Sequence, residues 1–313
     1  MKDFRLMLVG VTLIAATACE SAATARATTP PAAHVERGVY VLGDYSPSIL
    51  GASFVDGVFL STTWATVNPE PGVYDWSSVD PTIQKAIAAG KNFTLAIAAG
   101  INSPSWLYTQ AGVASIALSK GTTPVVWDSA YLYYLSQMIA VFGQQYGSNT
   151  RLASVKLAPG LNYVTGETHI IGQTCGTDCA AELDAGYTAA LLEMAFETVR
   201  ADYNAAFPGV EEFGGLQPDG GWPLTDTSVN TTMNEVLLAE GGWFGQSDSL
   251  TASFIVPGMT CYQEARPLGS GLQAALNLAT AQPTAQCVEL YAGDVTSRTA
   301  AMITAARAIL LTH

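Results

Sequence analysis

Short apolar runs alternate with longer amphipathic stretches along most of this chain. Each run has the length of a strand, is rich in strand-forming residues and is closed by turn residues. Because most positions in these runs are apolar, we expect both faces of the resulting sheet to be covered, as in a parallel sheet. The predicted strands are Gly38–Gly43, Asp56–Ser61, Asn92–Ala98, Leu152–Ala158, Glu211–Gln217, Leu250–Val256 and Cys287–Tyr291.

Helical spacing of apolar residues fills the intervals between these strands. The predicted helices are Val79–Ala89, a helix capped by Asp128 that runs to about Tyr146, Glu182–Ala206, Thr232–Ala239, Gly271–Ala281 and Ser297–Leu311. Alternating strands and helices in one domain predict parallel strands joined by crossover helices. The fold class is therefore α/β, and a (β/α)8 TIM barrel fits the length of the alternating region. Seven strands are predicted, so one strand of the eight is expected to be irregular or missing.

Composition narrows the possible functions. The chain has 313 residues, of which 49% are hydrophobic and 12% charged, and this suffices for one large domain with a full core. Its formal net charge is −13, and no lysine/arginine cluster occurs, so nucleic acid is not expected as a partner. No Gly-x-Gly-x-x-Gly follows the first strand and no Gly-x-Ser-x-Gly is present. We expect no cofactor.

The N-terminal segment has the pattern of a targeting sequence. A basic start precedes the apolar run Leu6–Ala15, which is too short to span a bilayer. Small residues directly before Cys19 resemble a bacterial lipoprotein processing site, which would leave a lipidated cysteine as a membrane tether; the alternative is an ordinary secretory signal. Either predicts export, to the periplasm or cell surface as a lipoprotein or as a secreted protein. The predicted divisions are a signal peptide over 1–19, an Ala/Thr/Pro-rich tether over 20–37 and the barrel domain over 38–313.

The other four cysteines agree with export. An even number of cysteines in an exported chain predicts two disulfides. Cys175 and Cys179 close a small loop, so we predict Cys175–Cys179 and Cys261–Cys287 as the pairs. The competing interpretation is a zinc site, but the chain has only three histidines and the second cysteine pair is widely split, so no metal is expected.

Glu289 stands out because it lies inside the short apolar strand Cys287–Tyr291. Burying a carboxylate is costly unless it is paired, hydrogen-bonded or used in chemistry. One interpretation is a buried glutamate tied to a neighbouring arginine or backbone amide. The other is an active-site carboxylate near the C-terminal end of a barrel strand, where barrel enzymes carry their chemistry.

Two motifs resemble a known family. The segment Trp64–Trp76, which contains Asn-Pro-Glu-Pro-Gly-Val-Tyr-Asp-Trp and is followed by Asp80, resembles the second strand–loop region of barrel glycoside hydrolases. Pro104-Ser105-Trp106-Leu107 resembles, within them, the family 42 β-galactosidase-like group. The order of elements agrees over most of the barrel domain, whereas the motifs cover only a few short segments. The resemblance implies an enzyme that cleaves O-glycosidic bonds with two carboxyl groups by a retaining mechanism.

The resemblance also implies positions for these carboxyl groups, with an acid/base after strand four and a nucleophile at the end of strand seven. Glu167 follows strand four and is the candidate acid/base, although Gly166 precedes it where the family usually has asparagine, and Asn162 lies five residues away. Glu289, on the seventh predicted strand, is the candidate nucleophile. Glu264 is the alternative carboxylate.

Aromatic and polar residues after the strands suit a carbohydrate substrate. Sugars expose C–H faces that pack on aromatic rings, so tryptophans at a barrel mouth favour sugar binding, while packing in the core or under a lid is the alternative. Tyr262 is a candidate hydrogen-bond donor to the nucleophile. A second hypothesis is a carbohydrate-binding surface protein that has lost catalysis on the same barrel. The predicted substrate-binding residues are Asp44, Tyr45, Trp64, Trp106, Asn162, Trp222 and Tyr262.

Overall fold

In the part of the chain that the structure describes, eight parallel strands form the central sheet. A computed structural model describes residues 34–118, 121–157, 176–214, 244–245, 258–264 and 266–313. The sheet strands are β1 (Gly38–Leu42), β2 (Gly57–Thr63), β3 (Asn92–Ala98), β6 (Leu152–Lys156), β7 (Glu211–Gly214), β8 (Phe244–Gly245), β9 (Cys261–Gln263) and β10 (Cys287–Tyr291). Between β3 and β6, β4 (Ser115–Leu118) and β5 (Gly121–Pro124) pair as an antiparallel hairpin.

The sheet curls round in the manner of a barrel. Its strand order is β8-β7-β6-β3-β2-β1-β10-β9, and every neighbouring pair is parallel. The first and last strands in the described chain, β1 and β10, therefore lie side by side. The two edge strands, β8 and β9, are consecutive in the chain and lie close to each other. The predicted α/β class and TIM-barrel type are confirmed.

Helices follow the strands and cover the outside of the sheet. Asp128 caps α5 as predicted, because its side chain accepts hydrogen bonds from the backbone N–H groups of Ala130 and Tyr131. None of the helices in the described ranges combines the length and apolar character needed to cross a bilayer. The described helices are α1 (Pro47–Leu50), α2 (Trp64–Val67), α3 (Asp80–Ala88), α4 (Trp106–Thr109), α5 (Ser129–Tyr146), α6 (Gly176–Asp184), α7 (Ala189–Ala206), α8 (Leu272–Thr280) and α9 (Ala300–Leu310).

The predicted long helix Glu182–Ala206 is two helices, α6 and α7. Gly186 follows α6 with φ of 87°, a left-handed conformation that stops a helix and favours glycine. Thr188 then caps α7 by accepting a hydrogen bond from Leu191 N–H. The apolar periodicity runs through this break, which is why the sequence pattern joined the two helices.

The strand count also differs from the prediction. Neither β8 nor β9 was predicted, because runs of two and three residues are too short to show a pattern. The predicted strand Leu250–Val256 and the predicted helix Thr232–Ala239 lie outside the described residues. Among the described strands of the sheet, Cys287–Tyr291 is therefore the eighth in chain order, and β9, the seventh, ends directly before Glu264.

Residues immediately before β1 belong to the folded domain. His34 Nδ1 lies 2.8 Å from the Leu152 carbonyl oxygen, and its backbone N–H donates to the Gly209 carbonyl oxygen. Glu36 is fully buried. These two residues of the predicted tether therefore contact the segments that contain β6 and β7.

Successive side chains along each strand point alternately toward the helices outside the sheet and toward the interior of the barrel. Val39, Val58 and Leu95 belong to the large core that includes residues of the surrounding helices. Leu42 and Phe59 belong instead to a small inner cluster with Ala96 and Tyr291. This alternation follows from the two-residue period of a strand, and it places every second side chain inside the barrel.

Candidate functional site

The inner face of β10 carries Cys287, Glu289 and Tyr291, which share one side of the strand. Cys287 is paired in register with Cys261 of β9, and the two form a disulfide with a Cα–Cα distance of 4.6 Å. The predicted Cys261–Cys287 pairing is therefore confirmed. Glu289 lies two residues further along the strand, in register with Tyr40 on one side and Gln263 on the other.

Glu289 is fully buried and forms an ion pair inside the barrel. Its Oε1 lies 2.5 Å from Nζ of Lys156, the last residue of β6, whose side chain is only 2% exposed. The ammonium of Lys156 also lies 5.2 Å from the centre of the Phe59 ring, within range of a cation–π contact. Glu289 is thus held by a lysine, where the sequence had suggested an arginine or a backbone amide.

Glu36 approaches the same lysine from the segment before β1. Its Oε2 lies 3.9 Å from Lys156 Nζ and accepts hydrogen bonds from Thr94 Oγ1 (2.7 Å) and Ser154 Oγ (2.6 Å). The backbone N–H of Glu36 donates to Oε2 of Glu211, at 2.6 Å. We call Glu36, Lys156, Glu211 and Glu289 the interior cluster.

Burial controls the charge of the interior cluster. It raises the pKa of Glu289 well above the usual range; the Lys156 ammonium opposes this shift, and the neighbouring Glu36 adds to it. Burial also raises the pKa of Glu211, against a hydrogen bond from the Glu36 backbone. Glu289 and Glu211 thus lie with one lysine in a region almost without solvent exposure, and their raised pKa values favour the protonated form of these two carboxyl groups.

The interior cluster was mostly missed by sequence reasoning. Glu36 and Glu211 lie at the edges of predicted elements, where nothing in the pattern marks them as buried. Lys156 did carry a signal, because it is a charged residue within the otherwise largely apolar predicted strand Leu152–Ala158.

A second group of carboxyls lies where β9 ends. Glu264 is fully buried, and its Oε2 accepts a 2.6 Å hydrogen bond from the backbone N–H of Tyr291. Its own N–H donates to the Glu289 carbonyl oxygen at 2.9 Å. Asp294 lies near enough to Glu264 to affect its ionisation, and the Asp294 carboxylate accepts hydrogen bonds from the N–H groups of Leu268 and Gly269. We call Glu264 and Asp294 the rim pair.

The rim pair differs from the interior cluster in having no lysine. Burial raises the pKa of Glu264 to about 8; the Tyr291 amide opposes this, and Asp294 reinforces it. Asp294 accepts hydrogen bonds from two backbone N–H groups. The pKa of about 8 favours the protonated form of Glu264 at neutral pH.

Two of the predicted sugar-binding tryptophans lie in the core. Trp64 is fully buried and Trp106 is 4% exposed, and their rings meet edge to face with centroids 6.4 Å apart. Trp64 Nε1 donates to Asn68 Oδ1, and Trp106 Nε1 donates to the Asn68 carbonyl oxygen. These contacts tie the loops after β2 and β3 together, so the rings serve the core-packing alternative and present no open face to a sugar.

The other described binding candidates form hydrogen bonds with residues other than Glu289. Asp44 is exposed and accepts hydrogen bonds from Ser46, while the Tyr45 hydroxyl donates to the Phe59 carbonyl oxygen. Both line an open pocket of about 790 Å³ that is completed by α1 and α3. Tyr262 is buried in the core shared with the helices, and its hydroxyl lies 3.5 Å from the Met259 carbonyl oxygen, so it does not donate to Glu289 in this structure.

The remaining predicted residues stay predictions. Glu167, Asn162, Trp222, Cys175 and the side chain of Cys179 lie outside the described residues. The acid/base role of Glu167 and the Cys175–Cys179 disulfide are therefore untested.

One grouping of possible metal ligands occurs in the described part of the chain. Glu36 Oε1 and the sulfurs of Cys261 and Cys287 lie within 4.8 Å of one another. The two sulfurs are bonded to each other, however, so they offer no thiolate to an ion.

Comparison with solved structures shows what this barrel is similar to. The catalytic domain of the β-amylase from Paenibacillus polymyxa superposes with a TM-score of 0.53 at 14% identity, over 81% of this chain and 91% of that chain. The β-galactosidase from the psychrophilic Marinomonas ef1 superposes with a TM-score of 0.53 at 11% identity, over 87% of this chain and 59% of that chain. The cold-adapted β-galactosidase from Rahnella sp. R3 superposes with a TM-score of 0.52 at 10% identity, over 91% of this chain and 57% of that chain.

These similarities support the barrel fold but do not assign the chain to a family. No model of a protein family and no curated protein sequence matches the chain. The chain spans under three fifths of the length of the two β-galactosidases. At such low identities the chain shares a barrel fold with glycoside hydrolases, and the family 42 group is not singled out among them.

Proposed function

We propose that this chain is an exported glycoside hydrolase that cleaves O-glycosidic bonds with two carboxyl groups and retains the anomeric configuration. The observation that carries the proposal is the Glu289–Lys156 ion pair, buried inside a barrel of the glycoside hydrolase type. Retaining hydrolysis needs one ionised carboxylate to attack the anomeric carbon and one carboxylic acid to protonate the leaving oxygen. Its substrate would be a carbohydrate.

Glu289 is the proposed nucleophile. A nucleophilic carboxylate must be ionised, and the Lys156 ammonium at 2.5 Å favours that form against the effect of burial. Since the net pKa of Glu289 is still raised, kcat/KM should fall on the acid side at a higher pH than for an exposed glutamate.

Glu167 is the proposed acid/base. It would protonate the leaving oxygen and later activate the water that releases the sugar, from a distance of about 5–5.5 Å between the carboxyl groups. Glu264 is the alternative. Its pKa of about 8 suits a proton donor at neutral pH, and its backbone N–H donates to the Glu289 carbonyl oxygen.

The test is hydrolysis of a panel of aryl glycosides and oligosaccharides by the mature chain. Glu289→Gln keeps the side-chain shape and should abolish turnover. Loss of the acid/base, by Glu167→Ala, should slow substrates with poor leaving groups by about 10²–10⁴-fold and spare activated aryl glycosides, which leave without protonation. Glu264→Gln should be mild if Glu167 is the acid.

Glu197→Gln is a matched control, because Glu197 is an exposed glutamate that pairs with Arg200 on α7. It should leave all rates unchanged. The glycosidase proposal fails if the wild-type chain hydrolyses nothing on a broad panel, or if Glu289→Gln retains wild-type rates.

A second candidate function is a carbohydrate-binding protein without catalysis. It is favoured by the depth of Glu289, which lies one level below the apolar layer formed by Leu42, Phe59 and Tyr291. A substrate would have to pass this layer to meet the carboxylate. Binding of oligosaccharides by calorimetry, with no hydrolysis of the same compounds, would select this alternative.

Export is proposed from the N-terminal segment and is supported by the Cys261–Cys287 disulfide, which suits an oxidising compartment. If Cys19 is lipidated, the mature protein should partition with membranes and carry the mass of attached acyl chains. Cys19→Ser should then abolish that modification.

A further inference from the structure

The ammonium of Lys156 lies between two buried carboxyl groups that come from different parts of the barrel. Its Nζ is 2.5 Å from Glu289 Oε1 and 3.9 Å from Glu36 Oε2. The lysine is 2% exposed and both glutamates are 0% exposed. Because water cannot stabilise charge at this depth, each group depends on the others for its charge state.

We propose that Lys156 and Glu36 are positioning residues that act through Glu289 and fix, in opposite senses, the pH at which its carboxyl group becomes a carboxylate. Lys156 favours the carboxylate and Glu36 disfavours it. The effect of these residues on catalysis rests on the proposed function, whereas their effect on the ionisation of Glu289 does not.

The geometry fixes both partners in place. Glu36 is anchored by the Thr94 and Ser154 hydroxyls, which lie 2.7 and 2.6 Å from its Oε2. A carboxyl oxygen that accepts two hydroxyl hydrogen bonds is well placed to carry negative charge. Lys156 is backed by the Phe59 ring at 5.2 Å. Neither group can turn toward solvent to escape the interaction with Glu289.

The other groups facing Glu289 are not cations. Tyr40 of β1 and Gln263 of β9 flank it in register, and both are uncharged at neutral pH. Glu211 of β7 reaches the cluster through the backbone of Glu36, and burial favours its protonated form. The Cys261–Cys287 disulfide on the two neighbouring strands does not titrate. Among these groups from the described residues, Lys156 brings the positive charge.

The experiment is a titration of Glu289 in the full mature chain labelled with ¹³C at the glutamate carboxyl. Glu289→Gln identifies the signal by removing it. In Lys156→Met the titration midpoint should rise by about 1–3 pH units, because a nearby positive charge is lost. In Glu36→Gln the midpoint should fall by a comparable amount, because a nearby negative charge is lost. The acid limb of kcat/KM should move in the same two directions.

Two further variants separate this effect from a general loss of packing. Lys91→Met removes another partly buried lysine, whose Nζ donates to the Ala52 and Val55 carbonyl oxygens, and it should leave the Glu289 midpoint unchanged. Lys156→Arg keeps the charge and should restore most of the wild-type midpoint. A merely structural role for Lys156 would not distinguish arginine from methionine by this readout.

The inference is overturned if the two single variants shift the midpoint in the same direction, or if neither shifts it. If Lys156→Met does not fold, the downward shift in Glu36→Gln still decides the matter, since an unchanged or raised midpoint contradicts the proposal. If the wild-type chain hydrolyses no glycoside, the proposed function fails by itself, and the carboxyl titration still tests the inference.

Discussion

The interior cluster and the rim pair lie on neighbouring strands, yet they keep buried carboxyl groups by different means. In the interior cluster, Glu289 faces an ammonium at 2.5 Å. In the rim pair, Glu264 faces the carboxylate of Asp294 and the amide of Tyr291, and no lysine or arginine of the described chain forms an ion pair with it. Both glutamates are fully buried, so exposure does not distinguish them.

This difference shows that the charge of the neighbouring group, more than the extent of burial, decides whether a buried carboxyl group is ionised or protonated. A cation at contact distance favours the ionised form, which suits attack on an electrophilic carbon. A neighbouring carboxylate favours the protonated form, which suits proton donation. The two groups are also linked, because Glu264 N–H donates to the Glu289 carbonyl oxygen.

The largest expected effect comes from breaking the ion pair of the interior cluster. Lys156→Met leaves Glu289 buried beside Glu36 without its cation, and this should lower the free energy of unfolding by about 3–5 kcal/mol. Adding Glu289→Gln to Lys156→Met should recover much of the loss, since the uncompensated carboxylate is gone. Urea unfolding at pH 7 measures both, and a cost below about 1 kcal/mol for Lys156→Met would show that the pair is not important for stability.

The rim pair should make the free energy of unfolding depend on pH. The native state keeps the Glu264 proton up to its pKa of about 8, whereas the unfolded chain releases it near the ordinary value of about 4.3. Between these values the native state binds more protons, so the Glu264 contribution is present at low pH and is lost as the pH rises through about 8.

Glu264→Gln should remove this decline, which amounts to at most about 4 kcal/mol between pH 5 and pH 9. The measurement is the free energy of unfolding at several pH values in that window. The exposed control Glu197→Gln should keep the wild-type slope. An unchanged slope in Glu264→Gln would mean that Glu264 is already ionised at neutral pH.

The Cys261–Cys287 disulfide joins the two strands that carry Glu264 and Glu289. Its sequence separation of 26 residues predicts a stabilisation of about 3.5 kcal/mol from the lost freedom of the unfolded chain. The double replacement Cys261→Ser and Cys287→Ser should lower the denaturation midpoint accordingly. If the midpoint is unaffected under non-reducing conditions, the bridge does not form in the wild-type protein.

The smallest effect is expected far from both groups. Asp128→Ala removes the side-chain cap of α5 and should lower the free energy of unfolding by about 1 kcal/mol, because two backbone N–H groups lose their acceptor. Thermal unfolding at pH 7 provides the measurement. A loss as large as that expected for Lys156→Met would show that the effects assigned to the buried carboxyl groups are not specific to them.

Local features of this fold could be predicted from the sequence, whereas non-local ones could not. Strand Asn92–Ala98 and the cap at Asp128 were predicted as observed, because apolar runs and capping side chains act over a few residues. Strands β8 and β9 are too short to carry a pattern. Their omission shifted the strand count, so that β10 was predicted as the seventh strand, whereas it is the eighth of the described sheet strands.

In the candidate site, too, local features could be predicted from the sequence and non-local contacts could not. Glu289 was singled out because a carboxylate within an apolar strand is a local anomaly. Its partners Lys156 and Glu36 come from residues more than a hundred positions away, and only the folded sheet brings them together. Trp64 and Trp106 belong to motifs that could be recognised, but tertiary packing decided that their rings fill the core.

Trapping of the covalent intermediate tests the central claim most directly. The mature chain is incubated with activated 2-deoxy-2-fluoro glycosides of the sugars it hydrolyses, which slow release of the glycosyl-enzyme, and is then analysed by intact mass and peptide mapping. The account predicts one added sugar, attached as an ester to Glu289. Attachment to Glu264 would contradict the assignment of the nucleophile, and no added mass during turnover of the parent glycosides would contradict the covalent, retaining mechanism itself.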